Sequence, residues 1–222
     1  MHLADSSFPT GGFAHSFGLE FAIDKKWVHD YHSLYSFTLD ALEQTLVNTD
    51  ALAVIKAAHV MQQKPDQGQA VKQLLYLNEE LSSFRFSHES REASAQLGRS
   101  LLTMVGQVYS NPFYDYLNIF KNDENFIQQP LIWGVLAAQL ELDATFIART
   151  LLVATVRQWG QGALRIIPLG QVIVNRYIAD VIGYMNTSLE MPGIDDSFSG
   201  INIGLDLAQA GHEKMAARYF RS

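Results

Sequence analysis

The sequence predicts an all-α, single-domain helical bundle that ends in a partner-binding helix and tail. Three observations carry this. Apolar residues recur at spacings of three and four along most of the 222 residues. The only β-branched run, Val172 to Val174, falls inside such a period. No segment rich in Pro, Gly or Ser separates two cores before Glu190 to Gly200.

The elements follow in order. Leu34, Phe37, Thr38, Ala41, Leu42 and Thr45 form one helical stripe. Thr49 and Asp50 read as the cap of a second helix, with Leu52, Ile55 and His59 inward and His59 a satisfied core histidine. A turn at Pro65 and Gly68 precedes a third, which runs to Phe84 on Val71, Leu74, Leu75 and Leu81. Ser87 caps a fourth, with Glu89 and Glu92 near its positive end and Leu97, Leu101, Met104, Val105 and Val108 as its stripe. Pro112 breaks it, and another helix begins at Pro130. Asp143 to Ile167 is apolar nearly all round, the pattern of a central helix, and Pro168 ends it. Gly170 to Asn186 follows, with Ile173, Tyr177 and Tyr184 inward. After a flexible loop over 190–202, a last helix spans Ile203 to Phe220, with Leu205, Ala208, His212, Met215 and Tyr219 on one face. That face either packs on the bundle or meets another protein.

Composition excludes several functions. The formal net charge of -7 without a basic cluster argues against nucleic-acid binding. The absence of cysteine removes disulfides, thiolate metal sites and thiol catalysis. The start has no signal-peptide pattern and the most apolar segment falls short of the ~20 residues of a membrane span, so the cytoplasm is the expected location. The charged fraction, 18%, is below the usual ~25% and hints at surface buried against partners.

The opening run from Asp5 to Glu20 tests the chemistry. Gly11 and Gly12 lack the following Lys and Ser/Thr of a phosphate loop and read as a tight turn. Ser16 and His15 are adjacent, so on a helix they diverge by ~100° and make a poor nucleophile and base; Ser16 reads instead as the cap of a helix starting near Gly18. The seven histidines are scattered, with only His29 and His32 close and His88 and Glu92 one turn apart. No metal site or cofactor is expected. Arg157, Gln161 and Arg165 recur at intervals of four as a polar ribbon, solvated or paired with carboxylates, on the central helix.

Asp5, Ser6, Pro9, Gly11, Gly12, Phe13, His15, Ser16, Gly18 and Glu20 fit the N-terminal pattern of the UreF family, which the chain resembles. Arg91, Glu92, Gly98 and Leu101 resemble its central helix. Arg165, Pro168, Leu169, Gly170 and Gln171 resemble its Arg-x-x-P-L-G-Q segment, and His212, Glu213, Arg218 and Ser222 its ending. The family's members usually carry several more residues ahead of the Asp-Ser motif than the four here.

The resemblance implies an all-helical, dimeric, non-enzymatic urease accessory protein. It would work with a UreD/UreH-type protein and a UreG-type GTPase to bring nickel to apo-urease, nickel being handled by the complex. The family's C-terminal tail becomes ordered on the UreD/UreH partner. The expected partner-binding residues are Phe8, Gly11, Gly12, Phe13, His15, Ser16 and Glu20 at one end, and Arg91, Glu92, Arg165 and Gln171 in the middle. His212, Glu213, Arg218, Tyr219 and Ser222 complete them, with Arg218 and Tyr219 as anchors. Two alternatives stay open: a GTPase activator inserting Arg165 or Arg91 into its partner, and a small-molecule enzyme with a pocket near Arg165, His15 and Glu20.

Overall fold

The structure is a computed structural model, and it describes residues 14–63, 66–108 and 127–222. The described residues form nine α-helices and no strand. In chain order these are α1 (Leu19–Asp24), α2 (Tyr31–Ala41), α3 (Leu52–Gln62), α4 (Gln67–Ser83), α5 (His88–Val108), α6 (Gln129–Gln139), α7 (Ala144–Ile166), α8 (Gln171–Thr187) and α9 (Ile203–His212).

Short polar side chains start most of them. Asp30 accepts from Ser33 N at 2.8 Å while the Ser33 hydroxyl takes the Asp30 N–H, a reciprocal cap for α2. Ser87 accepts from Ser90 N, as its position predicts, and Asp143 and Asn202 cap α7 and α9 in the same way. Pro130 sits in the first turn of α6.

The central helix is α7, which packs against α1, α3, α6 and α8. Its Leu151, Leu152, Val156, Trp159 and Ala163 are buried, while Arg157 and Arg165 stay exposed. The tightest crossing is α3 on α6. A Cβ on Gly134 would collide with the Val54 carbonyl oxygen and lie 2.7 Å from Ala57 Cβ, so only glycine allows the helices this close.

Four expectations change. Thr49 and Asp50 start no new helix: Leu42–Ala51 is a π-helical stretch that carries α2 into α3 without a break. Thr49 returns its hydroxyl to Thr45 O at 2.9 Å, and Asp50 binds Arg85 at 2.7 Å, so neither side chain serves as a cap. His59 is exposed and held by Gln63 one turn on, although Leu52 and Ile55 of the same helix are buried as expected. Ser16 does not cap α1: Gly18, in left-handed geometry at φ 90°, precedes the helix, and the Ser16 hydroxyl is buried without a partner.

The last helix ends at His212 instead of Phe220, and the chain continues in turns. Leu205, Ala208 and His212 face inward onto α1 and α5, so that stripe packs on the body of the protein, Met215 is half-buried, and Tyr219 points out.

Candidate functional site

The polar side chains that sequence places far apart converge where the start and end of the described chain cross. Leu19 and Ala22 pack α1 into the core and turn Glu20 toward α9. Glu20 is 2% exposed, yet its carboxylate is fully engaged. It accepts from Tyr219 N at 2.6 Å, Phe220 N at 3.0 Å and His212 Nε2 at 3.1 Å. His212, wholly buried, turns Nδ1 to Glu89 Oε2 at 2.9 Å, and Arg218 reaches the other oxygen of Glu89 at 2.7 Å. The row Glu20–His212–Glu89–Arg218 thus links each polar side chain to the next by a hydrogen bond, the condition under which polar groups are tolerated in an interior.

Two further sets of bonds fix the tail. Glu213 accepts from the Ser87 hydroxyl at 2.7 Å and from Glu89 N at 3.1 Å, placing a carboxylate on the positive end of α5. The Ser87 hydroxyl, then the backbone N–H groups, holds Glu213 below the usual carboxylate range. Beyond it, the Ser222 carbonyl accepts from Ser16 N and from Phe17 N, and Arg221 N donates to Ala14 O at 2.7 Å. The Trp159 indole donates to Ser16 O at 2.9 Å and the Gln158 amide to His15 O, so α7 anchors the crossing from beneath. Phe220 is buried against Gly162, with the Arg165 guanidinium 5.6 Å from its ring centre.

One pair has the look of a nucleophile and its base: His15 Nδ1 lies 2.7 Å from Ser222 Oγ. Both are buried, at 4% and 3% exposure, beneath the strands of chain that cross there. Burial first, with Arg221 and His212 adding to it, pushes His15 down to about 4, so it is neutral at pH 7 and suits a buried hydrogen bond. The open grooves described lie elsewhere. One of about 500 Å³ runs between α2 and α8 beside Tyr31, His32, Arg176 and Asp180, with Tyr31 donating to Asp180 at 2.6 Å. Among the described residues no group of His, Asp and Glu is arranged to hold a metal ion. No helix among them is long and apolar enough to cross a membrane.

Of the residues singled out in the sequence, His15, Ser16, Glu20, His212, Glu213, Arg218 and Ser222 meet in this crossing, and Arg165 touches it through Phe220. Tyr219 belongs to it by its backbone, while its side chain stands out at 77% exposure. Arg91 lies near the start of α5 but spends its guanidinium on the carbonyls of Arg85 and Phe86. Glu92 is exposed beside His88, and Gln171 is exposed at the start of α8 next to Asn175. Phe8, Gly11, Gly12 and Phe13 lie outside the described residues. Sequence reasoning missed Glu89, Trp159, Gln158 and Phe220 as parts of the site. Glu89 carried only a helix-end signal, and its partners lie more than 120 positions away.

Fold and crossing together define an all-α protein whose buried polar residues bind residues 14–20 to residues 212–222. Residues 28–182 match the family model described as UreF. The whole chain is 30% identical to the urease accessory protein UreF of Corynebacterium glutamicum (strain R), covering 96% of that relative. It is 26% identical over 99% of its length to the protein of the same name from Bacillus sp. (strain TB-90), again covering 96% of it. The chain belongs to the UreF family of urease accessory proteins. The crossing itself, residues 14–20 and 212–222, lies outside the span of the family model and within the full-length matches.

Proposed function

We propose that the chain is a non-enzymatic adaptor in urease maturation, a cytoplasmic homodimer that joins a UreD/UreH-type protein and recruits and regulates a UreG-type GTPase. Nickel is the cargo of that assembly on its way to apo-urease, and no cofactor belongs to this chain. An adaptor of this kind works by binding the GTPase differently in its two nucleotide states.

The observation that supports it best is the posture of Tyr219. Its backbone is pinned by Glu20 and its neighbours Arg218 and Phe220 are fastened to Glu89 and to the core, yet its ring is 77% exposed. An aromatic side chain offered from a fixed backbone loses little freedom on binding, which is what an interface anchor requires. Tyr219→Ala removes that ring without touching the buried crossing. It is expected to weaken capture of the UreD/UreH-type protein about 30-fold, the equivalent of a ~2 kcal/mol anchor, with the circular dichroism of the chain unchanged. Undiminished capture would reject the assignment. Truncation after Gly211 is a poorer probe, because it also strips His212 from between the carboxylates of Glu20 and Glu89.

The activator reading starts from exposure: Arg165 is exposed above Phe220, whereas Arg91 is half-buried. If an arginine is supplied, Arg165→Ala lowers GTP hydrolysis by the partner ~10³-fold or more and leaves complex formation intact. A purely scaffolding role predicts no such loss.

A further inference from the structure

We propose that the trough between α2 and α8 is a docking surface for a partner protein, and that it seats an arginine side chain of that partner over Gly183. The trough consists of two continuous hollows. One, of about 500 Å³, is lined by Tyr31, His32, Ile173, Arg176 and Asp180. The other, of about 550 Å³, shares Tyr31, His32 and Asp180 and extends past Tyr35, Gly183 and Tyr184. Helical spacing brings these residues together. Asp180, Gly183 and Tyr184 fall within one turn of α8, and Tyr31 and Tyr35 lie one turn apart on α2. Val174, Tyr177, Val181 and Met185 take the inward stripe of α8.

Gly183 points outward from the protein for its explanation. It is exposed in a helix interior, where glycine is unfavourable, and a Cβ built on it would meet nothing within 4 Å. Gly134, by contrast, is required by the backbone of α3. Packing within this chain does not call for glycine at 183, and the missing side chain leaves the floor of the trough open to a group from outside.

The walls define the chemistry of that group. Tyr31 donates to Asp180 Oδ2 at 2.6 Å, and Tyr184 donates to Glu43 Oε1. These bonds, ahead of burial, push Tyr31 up to about 12 and raise Tyr184, so both phenols stay neutral and the carboxylates carry the charge. A carboxylate accepts more than the one bond a phenol supplies, so Asp180 and Glu43, both exposed, can take a further donor. The rings of Tyr31 and Tyr35 stack 6.0 Å apart and 12° from parallel, offering a flat aromatic face. A guanidinium matches both features, since it stacks on rings and pairs with carboxylates through its fork of N–H groups. Arg176 lines only the hollow beside Ile173, where it opposes a second cation, so the seat is the hollow over Gly183. An open trough along two helices suits a side chain carried on an exposed protein segment, whereas a free small ligand needs a site that encloses most of its surface. That the partner belongs to urease maturation rests on the adaptor reading; the arginine seat does not, and it is tested on the isolated chain.

The probe is the peptide acetyl-Gly-Arg-Gly-amide, titrated into the full-length protein and followed by NMR of the labelled tyrosine rings. The same peptide with citrulline for arginine keeps the shape and removes the charge. Saturable shifts are expected at Tyr31, Tyr35 and Tyr184, with a dissociation constant on the order of 1 mM. Citrulline, and separately Asp180→Asn, should weaken binding about 5-fold or more. Gly183→Leu, which suits a helix better than glycine, should fill the floor and abolish the shifts. No saturable shift of these rings up to ~100 mM peptide overturns the proposal, as does binding that citrulline, Asp180→Asn or Gly183→Leu leaves undiminished. Closure of the trough by a second copy of the chain, seen as a dimer that Gly183→Leu splits while the peptide shifts nothing, overturns it as well.

Discussion

Replacing Glu20 by Gln is the sharpest perturbation of the crossing, because it keeps the shape and removes one acceptor and the charge. Glu20 accepts three hydrogen bonds at 2.6, 3.0 and 3.1 Å, and its side chain is 3% exposed. The amide of Gln offers one oxygen and turns an NH2 toward donors, so at least one of Tyr219 N, Phe220 N and His212 Nε2 is left facing another N–H. A buried donor without a partner costs about 1–3 kcal/mol. The tail should then open about 5- to 150-fold more often. Hydrogen exchange reads this at the Tyr219 and Phe220 amides and at the Trp159 indole N–H, which is bound to Ser16 in the same crossing. Amides deep in α3 and α6 should change far less, since the bonds of Glu20 run to α9 and the tail. Unchanged protection at Tyr219 and Phe220 in Glu20→Gln would refute the reasoning, because three buried bonds would then hold nothing in place.

Other expectations follow from the same structure. Gly134→Ala, in a helix interior where Ala is ordinarily better by ~1 kcal/mol, should instead destabilise by about 1–3 kcal/mol and lower Tm, because the new methyl meets the α3 backbone. Because His15 is held down to about 4, an unfolded chain takes up a proton there before the folded one does. Stability to urea should therefore decline as pH falls from about 6.5 toward about 4, and His15→Gln, which can still bond Ser222, should flatten that part of the profile. Arg218→Lys keeps the charge but loses the fork that spans Glu89 and the carbonyls of Glu213 and Met215. It should loosen the tail nearly as much as Arg218→Ala in the same exchange measurement.

The helices were legible because their signals are local. Asp30, Ser87, Asp143 and Asn202 sit at the starts of helices and bond the N–H groups a cap must satisfy. The all-round apolar pattern of α7 marked it as central for a physical reason: it has neighbours on several sides. Thr49 and Asp50 misled because the same side chains that cap a helix can return to its carbonyls, and a π turn has no sequence period of its own. The end of α9 misled because helical spacing continues through Met215 and Tyr219. There the turn after His212 is dictated by bonds to Glu20 and Glu89 on distant elements, which outweigh local propensity. The residues of the crossing could be picked out by family resemblance, but their mutual geometry could not. Spacing along the chain says nothing of a hydrogen-bonded row assembled from α1, α5 and α9.

The central claim is that this chain acts by contact. Light scattering after size exclusion, on the chain mixed with a UreD/UreH-type protein and a UreG-type GTPase, with and without GTP and nickel, addresses it most directly. The account predicts a joint complex whose mass requires all three proteins, whose assembly responds to GTP and nickel, and which Tyr219→Ala weakens about 30-fold. A chain that elutes at its own mass from every mixture would contradict it.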